Sequence, residues 1–171
     1  MLTATRTGET IGARWSEVDM DAAVWTVPAA RMKAGREHRV PLSDAALAVL
    51  RSIAPLRPEA GDDYVFPGRV ADKPLSSMAM LMLLRRMKRG DLTVHGFRSA
   101  FRDWCEEATS TPHAVSEAAL AHTIGDKVEA AYRRGDLFAK RAKLMADWAD
   151  FCAKAPASVV ALPVAQASAT G

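Results

Sequence analysis

Cysteine is scarce in this 171-residue chain: Cys105 and Cys152 are the only two. A single pair in apolar helical surroundings makes neither a disulfide framework nor a metal centre, and it suits a reducing compartment, so a cytoplasmic protein is expected. The four histidines, His38, His95, His113 and His122, form no HxxxH, and neither a CxxC nor a carboxylate cluster accompanies them. Metal binding is therefore not expected. The glycines fall into neither GxxxxGK[ST] nor GxGxxG, which argues against nucleotide hydrolysis. No apolar run approaches the roughly 18 residues that a membrane crossing needs, and no secretory leader opens at Met1. Tyrosine is rarer still than histidine, with only Tyr64 and Tyr132.

What is present is a chain of about one domain's length, 49% hydrophobic and able to bury a core. Lys and Arg total 23 against 20 Asp and Glu, a net charge of +3 with a pI near 9.1. So small an excess is a weak pointer to nucleic acid, and the positions of the cations must carry that case. The stretch VHGFRSAFRDW, residues 94–104, shows why. Wrapped as a helix it sets Phe97, Phe101 and Trp104 on one face and His95, Arg98 and Arg102 on another. The aromatic face reads as core. An imidazole and two guanidiniums side by side must face either water or an anion.

Read for organisation, the first dozen residues look like a helix end and the turn after it. ARWSEVDMDAAVWTVP has two alternating runs flanking a polar turn at Asp19 and Asp21, and reads as a hairpin. REHRVPL, residues 36–42, supplies a third strand after a loop holding Met32, Lys33, Ala34 and Gly35. Ser43 is the expected N-cap of a helix whose Ala46, Leu47, Leu50 and Ile53 recur at helical spacing. The connection 54–74 encloses YVFPG, a minor strand or an extended packing segment. Helices are expected at 76–88, 95–109, 113–121, 126–132 and 136–153, the last capped by Asp136. Beyond Lys154 the chain is rich in Ala, Pro and Ser without charge, and reads as a mobile or partner-docking tail. The sum is a mainly helical α+β domain with a small three-stranded antiparallel sheet near its start.

Cationic and imidazole groups are spread along this framework: Arg6 in TATRTGE, Lys33 in RMKAGREHRVPLS, His95 and Arg98 in HGFR, and His122 in ALAHTIG. Tyr132 follows in EAAYRRGD. A phenol has a pKa near 10, so it attacks well only where positive charge stabilises its oxyanion or a base takes its proton. Taken in order, R…K…HxxR…H…Y, these strings, with YVFPG, TVHGFRSAFRDW and AAYRRGDLFAKRAKLMADW, resemble the catalytic domain of a tyrosine recombinase of the phage integrase family, of the prophage or genomic-island type. The resemblance spans residues 2 to 153. Each string alone is weak; their shared order makes the likeness specific.

The resemblance implies roles that physical need supports. Arg6 and Arg98 would bind the non-bridging oxygens of a DNA phosphate, for which planar guanidiniums are suited. His122 would add a hydrogen bond to the same phosphate. His95 would help move the proton of Tyr132, the nucleophile, and Lys33 would protonate the departing 5′ oxygen. Glu9 would brace Arg6. Tyr132 would become a 3′-phosphotyrosine on double-stranded DNA, bond energy being retained so that neither ATP nor a metal is needed. Four protomers would exchange strands on two sites in the full-length protein, a fragment standing as a monomer. The family places a core-binding domain ahead of the catalytic one, so residues 1–153 are expected to be a catalytic domain truncated at its N-terminal edge, and 154–171 a tail.

Plainer readings stand beside these. Arg31, Arg36 and Arg39 populate the Lys33 hairpin and are expected to track the phosphate backbone. Arg133 and Arg134, with Lys140, Arg141 and Lys143, steer DNA or decorate the surface. Arg102 is expected to be a structural ion-pair partner, while His38 and His113 are structural or surface residues, with His38 also a candidate DNA contact. A non-catalytic remnant that only binds DNA, or associates with a full-length integrase, is the alternative function. A type IB topoisomerase is a chemical relative to which the flanking strings do not point.

Overall fold

The structure, a computed structural model, describes residues 1–57, 64–70, 72–122 and 135–154. The sheet forms where alternation predicts it: β1 (Val18–Asp19), β2 (Val24–Val27) and β3 (His38–Pro41) run antiparallel in that order. Trp25 sits opposite Val18 on one side and Val40 on the other. The first turn is made by Asp19, whose Oδ1 accepts the Asp21 and Ala22 amides at 3.0 and 2.7 Å, an Asx turn that needs no glycine. The second connection is pinned by the buried Met32 and turns at Gly35, whose φ of +61 suits glycine.

Six α-helices are described: α1 (Thr7–Ile11), α2 (Asp44–Ile53), α3 (Ala79–Arg86), α4 (Gly96–Ala108), α5 (His113–Ala119) and α6 (Phe138–Ala153). Ser43 caps α2 as expected, its Oγ accepting the Ala46 amide. Helix α3 is shorter than the predicted 76–88. Asp136 serves α6 from one position further out than predicted: Leu137 takes the cap with φ 55, and Asp136 Oδ1 accepts the Phe138 amide at 3.1 Å. YVFPG forms no described strand, only isolated pairings of Tyr64 with Arg14 and Pro67 with Pro74. The helix expected at 126–132 and the tail after Lys154 lie outside the described residues.

Two apolar clusters hold these elements. In the first, Trp15, Trp25, Val27 and Val40 pack with Leu47 of α2 and with Val65. In the second, Phe101 of α4, Leu120, and Leu144, Met145 and Trp148 of α6 close on one another. Phe101 meets Trp148 edge to face, ring centroids 5.3 Å apart, a favoured aromatic geometry. Phe97, expected in the same stripe, is half-buried outside this cluster.

Arg141 joins the two regions. Its side chain is almost fully buried; Nε donates to the Asp136 carbonyl at 2.7 Å, one terminal nitrogen to Asp136 Oδ2 at 2.8 Å, and the other to the Arg39 carbonyl on β3. A residue readable from sequence as surface charge is thus a tie between α6 and the sheet. Arg141→Met keeps the stem but takes the donor from the Asp136 and Arg39 carbonyls and removes the buried tie between α6 and the sheet, and should lower stability by about 1 to 3 kcal/mol. A urea melt unchanged from the parent would contradict this.

Candidate active site

The site begins at α1. Glu9, 4% exposed, stands at the third helical position and reaches back with both oxygens: Oε2 accepts the Arg6 amide and Oε1 the Arg6 guanidinium, each at 2.8 Å. A helix of only five residues is therefore fixed at its start, and Arg6 with it. Arg98 lies in the first turn of α4, where His95 is the N-cap. Contrary to the picture of a polar face turned outward, Arg98 is 6% exposed, and its terminal nitrogens donate to the carbonyls of Ala4 and Leu120. Those carbonyls lie two residues before Arg6 and two before His122, so one guanidinium ties both segments together.

His122 is placed by the end of α5. The Ala121 amide donates to the Ala118 carbonyl at 3.2 Å and the His122 amide to the Glu117 carbonyl at 3.0 Å, with Ala121 left-handed at φ 48. This is the Schellman arrangement, with alanine where glycine is usual. It brings His122 Nδ1 to 2.9 Å from Glu117 Oε2. Lys33 is exposed on the β2–β3 connection. Arg6, Lys33, Ala34, Glu117, Ala121 and His122 then line one open pocket of about 410 Å³. A separate cleft, lined by Leu2, Trp25, Leu50 and Phe66 among others, gathers no cationic side chain.

The electrostatics of Arg98 agree with this convergence. Burial, and next the positive charge of Arg6, bring its pKa down to about 10, while Glu9 and Glu117 oppose the shift. It stays charged at neutral pH. Arg6, held by the Glu9 carboxylate, lines the pocket, while Arg98 is held by the Ala4 and Leu120 carbonyls.

The remaining sequence candidates divide. His95 is exposed at the α4 N-terminus, and Arg36 is exposed. Arg39 is half exposed, stacked 4.2 Å over the Phe138 ring and 3.4 Å from Asp136. Arg31, expected as a DNA contact, pairs through its guanidinium with Glu17, donates to the Glu9 carbonyl at 3.0 Å, and keeps Nε buried. Those bonds aim it inward, where it ties the β2–β3 connection to α1. Arg102 makes ion pairs with Glu106 and Glu117. Tyr132, Arg133 and Arg134 lie outside the described residues.

The sequence pattern of the phage integrase family matches residues 1–136. The chain belongs to that family. Among curated relatives, prophage integrase IntA of Escherichia coli K12 is 40% identical over 95% of this chain and 39% of its own length. The integrase of Shigella phage Sf6 is 31% identical over 87% of this chain and 39% of its own. The chain thus spans about two-fifths of the length of the curated relatives it matches. Its fold matches the crystal structure of XerA recombinase with a TM-score of 0.57 at 15% identity, covering 90% of this chain and 54% of that one. Among the described residues no helix is long and apolar enough to cross a membrane.

One residue lining the pocket of this phage integrase family chain was not singled out from sequence. Glu117 has no motif of its own, and only the helix end at Ala121 turns it toward His122. His38, at the start of β3 and entertained from sequence as a structural residue or a DNA contact, does not line the pocket. Burial first, and then the Arg141 charge, lower its pKa to about 4, while Glu9 and the Ala119 backbone pull the other way. His38 therefore folds neutral, whereas the unfolded chain takes up a proton near its ordinary value of 6.5. Stability from this residue is complete above pH 6.5 and drains away as the pH falls toward 4. The loss should be at most about 3 kcal/mol. Melting temperatures across that window should fall less in His38→Gln, and equal slopes for the two proteins would refute the assignment.

Proposed function

We propose that this chain is the catalytic part of a site-specific DNA recombinase that integrates or excises a mobile element. The observation that carries the reading is the convergence of Arg6, Lys33 and His122 on one pocket, with Arg98 tying its two walls, in a chain of the phage integrase family. A phosphodiester under attack gathers negative charge on its non-bridging oxygens, and preorganised donors aimed there supply the largest catalytic contribution. Arg6, Arg98 and His122 are those donors. Tyr132 attacks phosphorus, the new P–O bond forming a 3′-phosphotyrosine as the bond to the 5′ oxygen breaks. His95 takes the phenolic proton, and Lys33 gives one to the departing 5′ oxygen. Reversal by a 5′ hydroxyl of another strand rejoins the DNA, so the step is isoenergetic and uses no ATP. Residues 1–153 form the catalytic domain, with four protomers acting on two duplex sites in the whole protein.

The experiment is a duplex carrying a nick close to the cleavage site, so that the short fragment bearing the freed 5′ hydroxyl diffuses away and the intermediate accumulates. A protein–DNA adduct on a denaturing gel is expected. A native-gel shift without any adduct would identify a DNA-binding remnant instead.

A further inference from the structure

We propose that Glu117 is the positioning residue of His122, holding its imidazole with Nδ1 protonated so that Nε2 is the nitrogen offered to the scissile phosphate. This rests on the strand-transfer reading of the pocket. An ionised carboxylate has no proton to give, so at 2.9 Å from Glu117 Oε2 the ring nitrogen must be the donor. The pair is held twice, through the side chains and through the 3.0 Å bond from the His122 amide to the Glu117 carbonyl. Both residues line the pocket, and with Nδ1 engaged the ring has only Nε2 left for a ligand.

The other oxygen of Glu117 sharpens the case. Oε1 is buried without a hydrogen-bond partner among the described residues, and Arg102 Nε approaches only to 3.7 Å. The side-chain hydrogen bond of this carboxylate is therefore to His122. The charged groups facing the pair are Arg6 and Lys33 across the pocket, with Arg98 and Arg102 from α4. Once a phosphodiester enters, the ring lies between two anions, each of which takes an N–H. The doubly protonated form then gives phosphate a charge-assisted donor, roughly twice as strong as a neutral one. Without Glu117 the ring is free to rotate and to shift its proton to Nε2, and its donor is neutral.

Ring nitrogen NMR of the full chain, free of DNA, reads the pair directly. Nδ1 is expected to be protonated in the parent, and Glu117→Ala should shift the proton to Nε2. On the nicked duplex, single-turnover cleavage by Glu117→Ala should slow on the order of 10- to 100-fold while duplex affinity is retained. Glu117→Gln, whose amide oxygen still accepts from Nδ1 without charge, should fall between and controls for misfolding. An unprotonated Nδ1 in the parent, or parental cleavage rates in both variants, would overturn the proposal. If the parent forms no adduct while the NMR result holds, the strand-transfer reading falls and takes the catalytic role with it, leaving only the structural pair.

Discussion

Arg98→Ala should slow strand cleavage by at least about 10³-fold and also cost about 2 to 4 kcal/mol of stability. Two effects combine. On the proposed role of Arg98 the phosphate loses a charged donor, which alone is worth on the order of 10²- to 10³-fold. The Ala4 and Leu120 carbonyls also lose their buried partner, and the segments leading to Arg6 and His122 lose their tie. A displacement near 1 Å at a reacting centre is enough to cost about 10²-fold. Arg98→Lys separates these effects: it keeps a charge, but one ammonium cannot reproduce a planar fork spanning two carbonyls, so most of the loss should persist. Single-turnover cleavage and urea melts of both variants provide the check. An alanine variant that cleaves normally would remove Arg98 from the site.

Tyr132→Phe should abolish the covalent adduct while leaving duplex binding in place. The substitution deletes only the phenolic oxygen proposed as the nucleophile, and no water-mediated route makes a protein–DNA bond. The control comes from the structure, because the chain's other tyrosine is committed elsewhere. Tyr64 accepts from Arg14 at 3.0 Å, lies 4.2 Å under that guanidinium, and lines a cleft with Trp15 and Leu75, apart from Arg6, Lys33 and His122. Tyr64→Phe should therefore keep the adduct. Equal loss in both variants would point to unfolding rather than chemistry, and an adduct surviving in Tyr132→Phe would assign the nucleophile elsewhere.

The sheet, the Ser43 cap and the positions of four later helices could be read from the sequence because each rests on a local pattern. Alternation, capping chemistry and helical spacing act over a few residues. The burial of Arg98 could not, since its carbonyl partners are 94 and 22 residues away in the chain and no local signal announces them. The Arg31 ion pair was out of reach for the same reason, its partner Glu17 lying across the first hairpin. Arg141 did carry a signal. Leu144, Met145 and Trp148 stand at i+3, i+4 and i+7 from it, so it belongs to the apolar face of α6 despite the lysines around it. Charge alone does not put a residue on the surface; its phase on the helix decides.

The convergence of Arg6, Lys33 and His122 on one pocket serves the proposed reaction only if the phenol of Tyr132 reaches a phosphate bound there. The most direct measurement is to trap the adduct on the nicked duplex, digest the DNA and the protein, and locate the residual nucleotide by mass spectrometry. It should be found on the peptide containing Tyr132, joined through a 3′ phosphate. A nucleotide on any other residue, or one attached through a 5′ phosphate, would contradict the account.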